Sequence, residues 1–266
     1  MTAPDFPAYR SRYLPAMTPA QIARLPDKAW APVIIATGAI EQHGPHLPVA
    51  VDSLMAQVWL ERALPRLPAG ASCYVAPPIT VGKSNEHTGF PGTLMISKNT
   101  LRALLLAIAD QVYAWGFRQI AVLNTHGGNT AVIAYTLREI HGKYGLYGGM
   151  LAPKFDLDLP AQEAVFGYHA NTVETAWLLA VAPQYVKMTD AACEYSGRLE
   201  DPGELRPERA AAMLAWVTAD LSKTGILGDA TVATPAKGAE WLDQGAQRFA
   251  EAIAEVCRLG RATQSS

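Results

Sequence analysis

Glu41, His43, His46 and Asp52 fall within the stretch ATGAIEQHGPHLPVAVD, residues 36–52, just after an apolar run. Carboxylate, imidazole and carboxylate together form a hard-to-borderline ligand set suited to zinc, manganese or ferrous iron. On extended chain, residues i and i+2 point to the same face, so Glu41 and His43 can aim into one pocket. GPHLP then holds the backbone extended and returns it to Asp52. Taken singly, each residue has another use: Asp52 as a helix cap, His43 as a turn histidine.

Five of the 6 histidines lie in or beside Gly/Pro turns, namely His43, His46, His87, His126 and His169, and only His141 is expected on a helix surface. LNTHGGN delivers His126 to a Gly-Gly turn, where glycine permits close approach of backbone to a ligand. The N–H groups of Gly127 and Gly128, at a helix start, are candidates for holding anionic groups of a substrate. In YHANTVETAWLLA, His169 and Glu174 are five apart and so do not share a helical face. Both reach one pocket only if His169 lies in the non-helical lead-in. Glu174 opens an apolar, hence buried, helix, and a buried carboxylate needs a partner; a first-turn glutamate favoured by the helix dipole is the alternative. GKSNEHTGFPGT, residues 82–93, is too polar for core. It places Glu86 and His87 as candidate pocket residues on a surface loop.

These groups need a scaffold that brings strand ends together. APVIIATGA (31–39) reads as a strand buried on both faces, as in parallel sheets. Further strands are expected at 72–80, at 118–129 running into the Gly turn, and more weakly at 146–153. Helices are expected at 53–64 with Asp52 as N-cap, 97–117 with Ser97 as N-cap, 130–145, 172–182, 206–223 and near 239–258. Alternating strands and helices predict an α/β fold with a mostly parallel sheet covered on both faces, with ligands beyond the C-terminal strand ends. The segment 194–210, charged and rich in Pro and Gly, reads as a surface loop.

The 266 residues carry a net charge of −2 and are 50% hydrophobic. No linker divides them, so one domain spanning 1–266 is expected. The charge gives no reason to expect nucleic acid or an anionic membrane. No apolar run nears the roughly 20 residues of a membrane span, and the N-terminus has no apolar signal region. Cys73, Cys193 and Cys257 suit free thiols in a reducing cytoplasm. No GxGxxG follows the first strand and no GxSxG elbow occurs, which disfavours a nucleotide-binding dehydrogenase and a serine hydrolase.

GAIEQHGPHLPVAVD, EHTGFPGT, NTHGGN, HANTVET and GILGDATVATPAKG together resemble, in order, the signature segments of the creatininase family of metal-dependent amidohydrolases. The resemblance implies a three-layer α/β/α fold, a small-molecule substrate with a C–N amide bond, and frequent homohexamers. It implies a two-metal centre with ligands Glu41, His43, Asp52, His126 and Glu174, Asp52 bridging the ions. His169 would lie beside the scissile bond and move a proton, with Glu174 as its catalytic companion. Glu86, His87, Thr125, Gly127, Gly128 and Asn171 would line the substrate site. Three departures stand out. Gly128 occupies the position of a metal-binding glutamate in creatininase proper, which argues against creatinine as substrate. Asn171 and Thr172 replace a glycine and an acid, and Thr125 replaces a smaller glycine. The rival readings are a lactone or cyclic-ketone hydrolase on the same centre, and a non-catalytic metal- or ligand-binding member.

Overall fold

The computed structural model describes residues 5–200, 203–208 and 210–262. After a short helix α1 (Pro19–Ala23), strand β1 (Pro32–Thr37) is buried at every position. Helix α2 (Val51–Ala63) leads to β2 (Tyr74–Val75), α3 (Lys98–Ala114) to β3 (Gln119–Asn124), and α4 (Thr130–Tyr144) to β4 (Tyr147–Leu151). The four strands form one parallel sheet in the order β2-β1-β3-β4.

Successive strand residues face opposite sides, and the two cores follow from that. Ile34 and Ala36 of β1 and Ala121 and Leu123 of β3 pack with Trp59 and Leu60 of α2. The same core holds Leu178 of α6 (Thr172–Val181) and Phe249 of α8 (Pro235–Ala262), the latter two helices following α5 (Ala161–Phe166) and α7 (Thr218–Leu221) in chain order. Val33, Ile35, Ile120 and Val122 pack on the other side with Leu101 and Leu105 of α3 and Ile133 and Ile140 of α4. The fold is thus the expected three-layer α/β/α. The chain leaves β1 toward one helical layer and the adjacent β3 toward the other. That divergence opens a crevice beyond their C-terminal ends, the topological switch point where ligands bind in such sheets.

Ser97 caps α3 as its sequence indicates, its hydroxyl accepting from Thr100 N at 3.0 Å. Ser97→Ala is expected to cost about 1 kcal/mol, read as a lower urea midpoint at unchanged m-value.

Three expectations need correction. Asp52 is not the cap of α2: the helix starts at Val51 after an uncapped Ala50, and Asp52 sits in its first turn with its carboxylate turned to histidines. The second strand is only Tyr74–Val75 plus an isolated bridge of Ile79 to Thr37, because Pro77 and Pro78 cannot continue the ladder. Among the described residues, 206–223 form no continuous helix. In its place are β6 (Leu205–Arg206) paired with β7 (Ala212–Met213), and the single turn α7. Helix propensity there yields to long-range bonds: Trp216 Nε1 donates to Pro207 O, and the Thr218 hydroxyl donates to Glu86 O. The remaining strands, β5 (Cys193–Glu194) and β8 (Gly228–Asp229), pair antiparallel. All three cysteines are free thiols. No helix among the described residues is long and apolar enough to cross a membrane.

Candidate metal centre

The loop after β1 carries Glu41 and His43, the start of α2 carries Asp52, and the turn after β3 carries His126. A Cβ at Gly38 would come within 2.7 Å of Ser53 Cα, so glycine is what lets α2 begin against the end of β1. Thr125 fastens the same junction. Its hydroxyl lies 2.8 Å from Asp52 O and 3.1 Å from Thr37 O, committed to backbone rather than to a ligand.

The result is three ligand triads among the described residues: Glu41, His43 and His169 form one, and the other two share Asp52. In one of those two, His126 Nδ1 lies 3.2 Å from Glu41 Oε2 and 3.4 Å from Asp52 Oδ2. In the other, His43 Nε2 lies 3.7 Å from Asp52 Oδ1 and 3.8 Å from Glu174 Oε2. Ligands about 2.0–2.1 Å from a tetrahedral ion are separated by about 3.3 Å, so these spacings admit a cation in each cluster. Each histidine turns one ring nitrogen toward the carboxylates. His43 Nδ1 lies 3.1 Å from Glu41 O and His126 Nε2 3.0 Å from Lys83 O, backbone carbonyls that take an N–H and aim Nε2 and Nδ1 respectively at the carboxylates, where a cation would meet their lone pairs. Glu41 Oε2, His43 Nε2 and Asp52 Oδ2 are buried without a hydrogen-bond partner. Buried polar atoms are rarely left so. Here all three point into the clusters.

The electrostatics carry the same signature. Burial and the neighbouring Glu41 charge push the Asp52 carboxyl up to about 6. Burial likewise lifts Glu174 to about 7, against the Ala170 N–H that donates to its Oε2 at 2.6 Å. Burial also disfavours the Glu41 anion, but the His126 and His87 imidazoles within 3.2 and 3.3 Å of its oxygens outweigh it and hold that carboxyl below the usual range. The ion-pair partners of all three carboxylates are histidines. Without a cation, protons must balance this charge; with one, the residues fit a divalent ion.

His169 stacks 4.4 Å from the His43 ring and 4.2 Å from His87. Its Nε2–H donates to Gln42 O at 2.7 Å, and Nδ1 sits 3.8 Å from Glu41 Oε1. Burial, then the neighbouring His43 and His87, push its pKa well below 6.5. His87 supports Glu41 from behind, Nε2 3.3 Å from Oε1, while its Nδ1 meets Gln42 and Thr218. Glu86, His87, His126, His169, Gly127 and Gly128 all border a cavity of about 660 Å³. Asn171 is placed elsewhere: its side chain caps α6, accepting from Val173 N and Glu174 N.

A Cβ at Gly128 would collide with Glu86 Oε1, Lys83 O and His126 Nε2. No glutamate fits there. The carboxylate on this side of His126 is instead Glu86, with Oε1 3.5 Å from Nε2. Gly128→Ala is expected to weaken metal affinity about 10- to 100-fold by displacing these supports. Competition with a chromogenic chelator measures it, and an unchanged affinity refutes it.

Sequence reasoning passed over Gln42. Its Nε2 lies 2.9 Å from His87 Nδ1 and 3.1 Å from Gly225 O, and its Oε1 accepts from Gly44 N, so it knits three loops around the centre. Only its position between two candidate ligands hinted at this. His46 proves separate, its Nε2 2.8 Å from Thr175 Oγ1. Burial lowers its pKa from 6.5 to about 4. The unfolded chain therefore binds this proton first, and the stability present above pH 6.5 is lost as pH falls toward 4. His46→Gln is expected to flatten the slope of unfolding free energy in that window, measured by denaturation at stepped pH.

The family profile described as "Creatininase: Creatinine amidohydrolase" matches residues 15–253. The mycofactocin precursor peptide peptidase of Mycolicibacterium smegmatis is 34% identical over 208 residues, 77% of this chain and 77% of that one. The creatinine amidohydrolase of Pseudomonas putida is 27% identical over 84% of this chain and 88% of its own. The crystal structure of a creatinine amidohydrolase superposes with a TM-score of 0.72 at 22% identity, covering 92% of this chain and 97% of that one. A mutant creatininase of Zn-Zn type and a creatininase designated Mn superpose with TM-scores of 0.68 and 0.65.

Proposed function

The chain belongs to the creatininase family, and on that premise we propose that it is a metal-dependent hydrolase of a C–N amide bond in a small molecule. The observation that carries the reading is the pair of clusters joined at Asp52, with three unpartnered buried ligand atoms at their centre. Glu41, Asp52 and His126 would hold one divalent ion, and His43, Asp52 and Glu174 a second. Such ions, when bound, polarise a carbonyl and bring the pKa of water from near 16 toward roughly 7.

The protein's own groups complete the chemistry. Gln42 O, an acceptor 2.7 Å from His169 Nε2 and closer than the Gln42 amide nitrogen at 2.9 Å, supports the tautomer in which Nδ1 faces the site as the base. As water oxygen adds to the carbonyl carbon, Nδ1 takes the proton and returns it to the leaving nitrogen when the C–N bond breaks. The products are a carboxylic acid and an amine. Glu41 Oε1, 3.8 Å away, steadies the transient imidazolium. Tyr168 N and His169 N both donate to Leu227 O, and Leu227 N donates to His169 O, which clamps the ring in place.

Relatives named as a peptide peptidase and as a creatinine amidohydrolase both support amide cleavage. A 3-dehydro-scyllo-inosose hydrolase of Thermotoga maritima, 27% identical over 58% of this chain, keeps the cyclic-ketone reading as the second choice. Elemental analysis of protein purified without added metal, followed by chelation, reloading and assay on paired lactam, open-chain amide and lactone substrates, tests the proposal. Two divalent ions per chain and metal-restored amide turnover are expected. Absence of metal, or turnover of lactones alone, would overturn it.

A further inference from the structure

A second cavity opens on the other flank of the same cluster. It measures about 330 Å³ and is bordered by Asp52 and Glu174 on one side and by Trp59, Phe155, Trp177 and Phe249 on the other. Its volume sits at the low end of small-molecule sites, enough for one ring and its linker.

The wall is built for an apolar occupant. Trp59 is its hub, edge-on to Trp177 at 5.3 Å and 89°, edge-on to Phe155 at 6.1 Å, and tilted on Phe249 at 5.1 Å. Gly245 clears space for it, since a Cβ there would come within 2.6 Å of the indole and 2.9 Å of Phe155. Of the polar groups bordering the cavity, Asp52 Oδ2 and Trp177 Nε1 are buried without a hydrogen-bond partner, while two others are held by the protein itself. Thr125 bonds backbone carbonyls, and Asn124 Nδ2 donates to His126 O at 2.7 Å. The larger cavity differs in kind, with Lys83, Glu86, Tyr168 and Trp216 at its border. His126, Gly127 and Thr130 border both, so the candidate centre stands between an aromatic chamber and a polar one.

We propose that the aromatic chamber is a substrate subsite, taking an aromatic or bulky apolar group on one side of the scissile amide while the polar remainder occupies the larger cavity. This deepens, and rests on, the amide-hydrolase reading. Offset and edge-on ring contacts stabilise an aromatic guest beyond its area burial, which makes this chamber a source of substrate selection.

The test uses metal-loaded enzyme with glycyl-L-phenylalanine, L-phenylalanylglycine and glycylglycine. One of the aromatic dipeptides should show kcat/KM at least about tenfold above glycylglycine, in line with what a filled apolar pocket discriminates. Phe155→Ala, and as a second variant Ala152→Trp at an exposed wall position, should each shrink that ratio. In parallel, 3-phenylpropanamide, but not propanamide, should shift the tryptophan fluorescence of the unmodified enzyme, and the variants should weaken its binding. If no amide is turned over yet 3-phenylpropanamide still binds in a variant-sensitive way, the subsite stands and the hydrolase reading falls. Hydrolysis without aromatic preference, or a fluorescence response indifferent to both variants, overturns the subsite and leaves the hydrolase reading standing.

Discussion

Asp52→Ala is expected to empty both clusters of metal and to lower turnover at least about a thousandfold. Asp52 is the side chain common to the two triads proposed to hold the ions, Oδ2 beside His126 and Oδ1 beside His43. Its removal takes a ligand from each ion, whereas His126→Ala takes a ligand from one. Metal analysis should therefore read near zero for Asp52→Ala and about one ion for His126→Ala, against two for the parent. The rate loss follows because bound ions supply several kcal/mol of charge stabilisation in the transition state, and each 1.4 kcal/mol is about tenfold. Stability should move the opposite way in metal-free protein. There Asp52 is a buried carboxylate held beside Glu41 with its pKa pushed up to about 6, so Asp52→Asn removes a strained charge. Metal-free Asp52→Asn should melt no lower than metal-free parent. Added metal should stabilise only the parent, by about 2.7 kcal/mol for each bound ion at a hundredfold excess over Kd. Stoichiometric metal retained in both Asp52→Ala and His126→Ala would refute the ligand assignment.

The strands that position these groups were legible because parallel-sheet strands are apolar on both faces, and β1 and β3 are buried almost throughout. Glu41, His43, Asp52, His126, His169 and Glu174 were legible as chemistry-bearing residues at strand ends, and the structure brings all six together. The same-face reading of Glu41 and His43 agrees with the triad they form with His169, whose ligand atoms lie within 4.8 Å of one another. What spacing alone did not show is that Glu41 also faces His126 while His43 also faces Glu174. Thr218, which holds His87 Nδ1, lay hidden in an Ala-rich stretch whose local propensity is helical. The aromatic chamber was invisible for a similar reason. Trp59, Phe155, Trp177 and Phe249 come from three helices and a loop, and no local period records a contact that only tertiary packing creates.

His169→Ala is expected to lower kcat by about 10²- to 10⁴-fold, the usual worth of a positioned proton carrier, while both ions remain bound. Metal content is the decisive companion measurement, because His169 Nδ1 also lies within ligand range of Glu41 and His43. Loss of an ion from the variant would make His169 a ligand and remove it from proton transfer. The leaving group offers an independent reading. Expelling a basic alkylamine requires the proton before or as the C–N bond breaks, whereas a nitroanilide leaves with far less help. The deficit of His169→Ala should therefore be large on an alkyl amide and much smaller on the matched p-nitroanilide, and added imidazole should restore part of the alkyl-amide rate. A purely structural role for His169, through its bonds to Gln42 O and Leu227, would depress both substrates equally and leave imidazole without effect. His169→Gln, which can keep a donor toward Gln42 O, separates the same two cases: it should fold like the parent yet share the alanine variant's dependence on the leaving group.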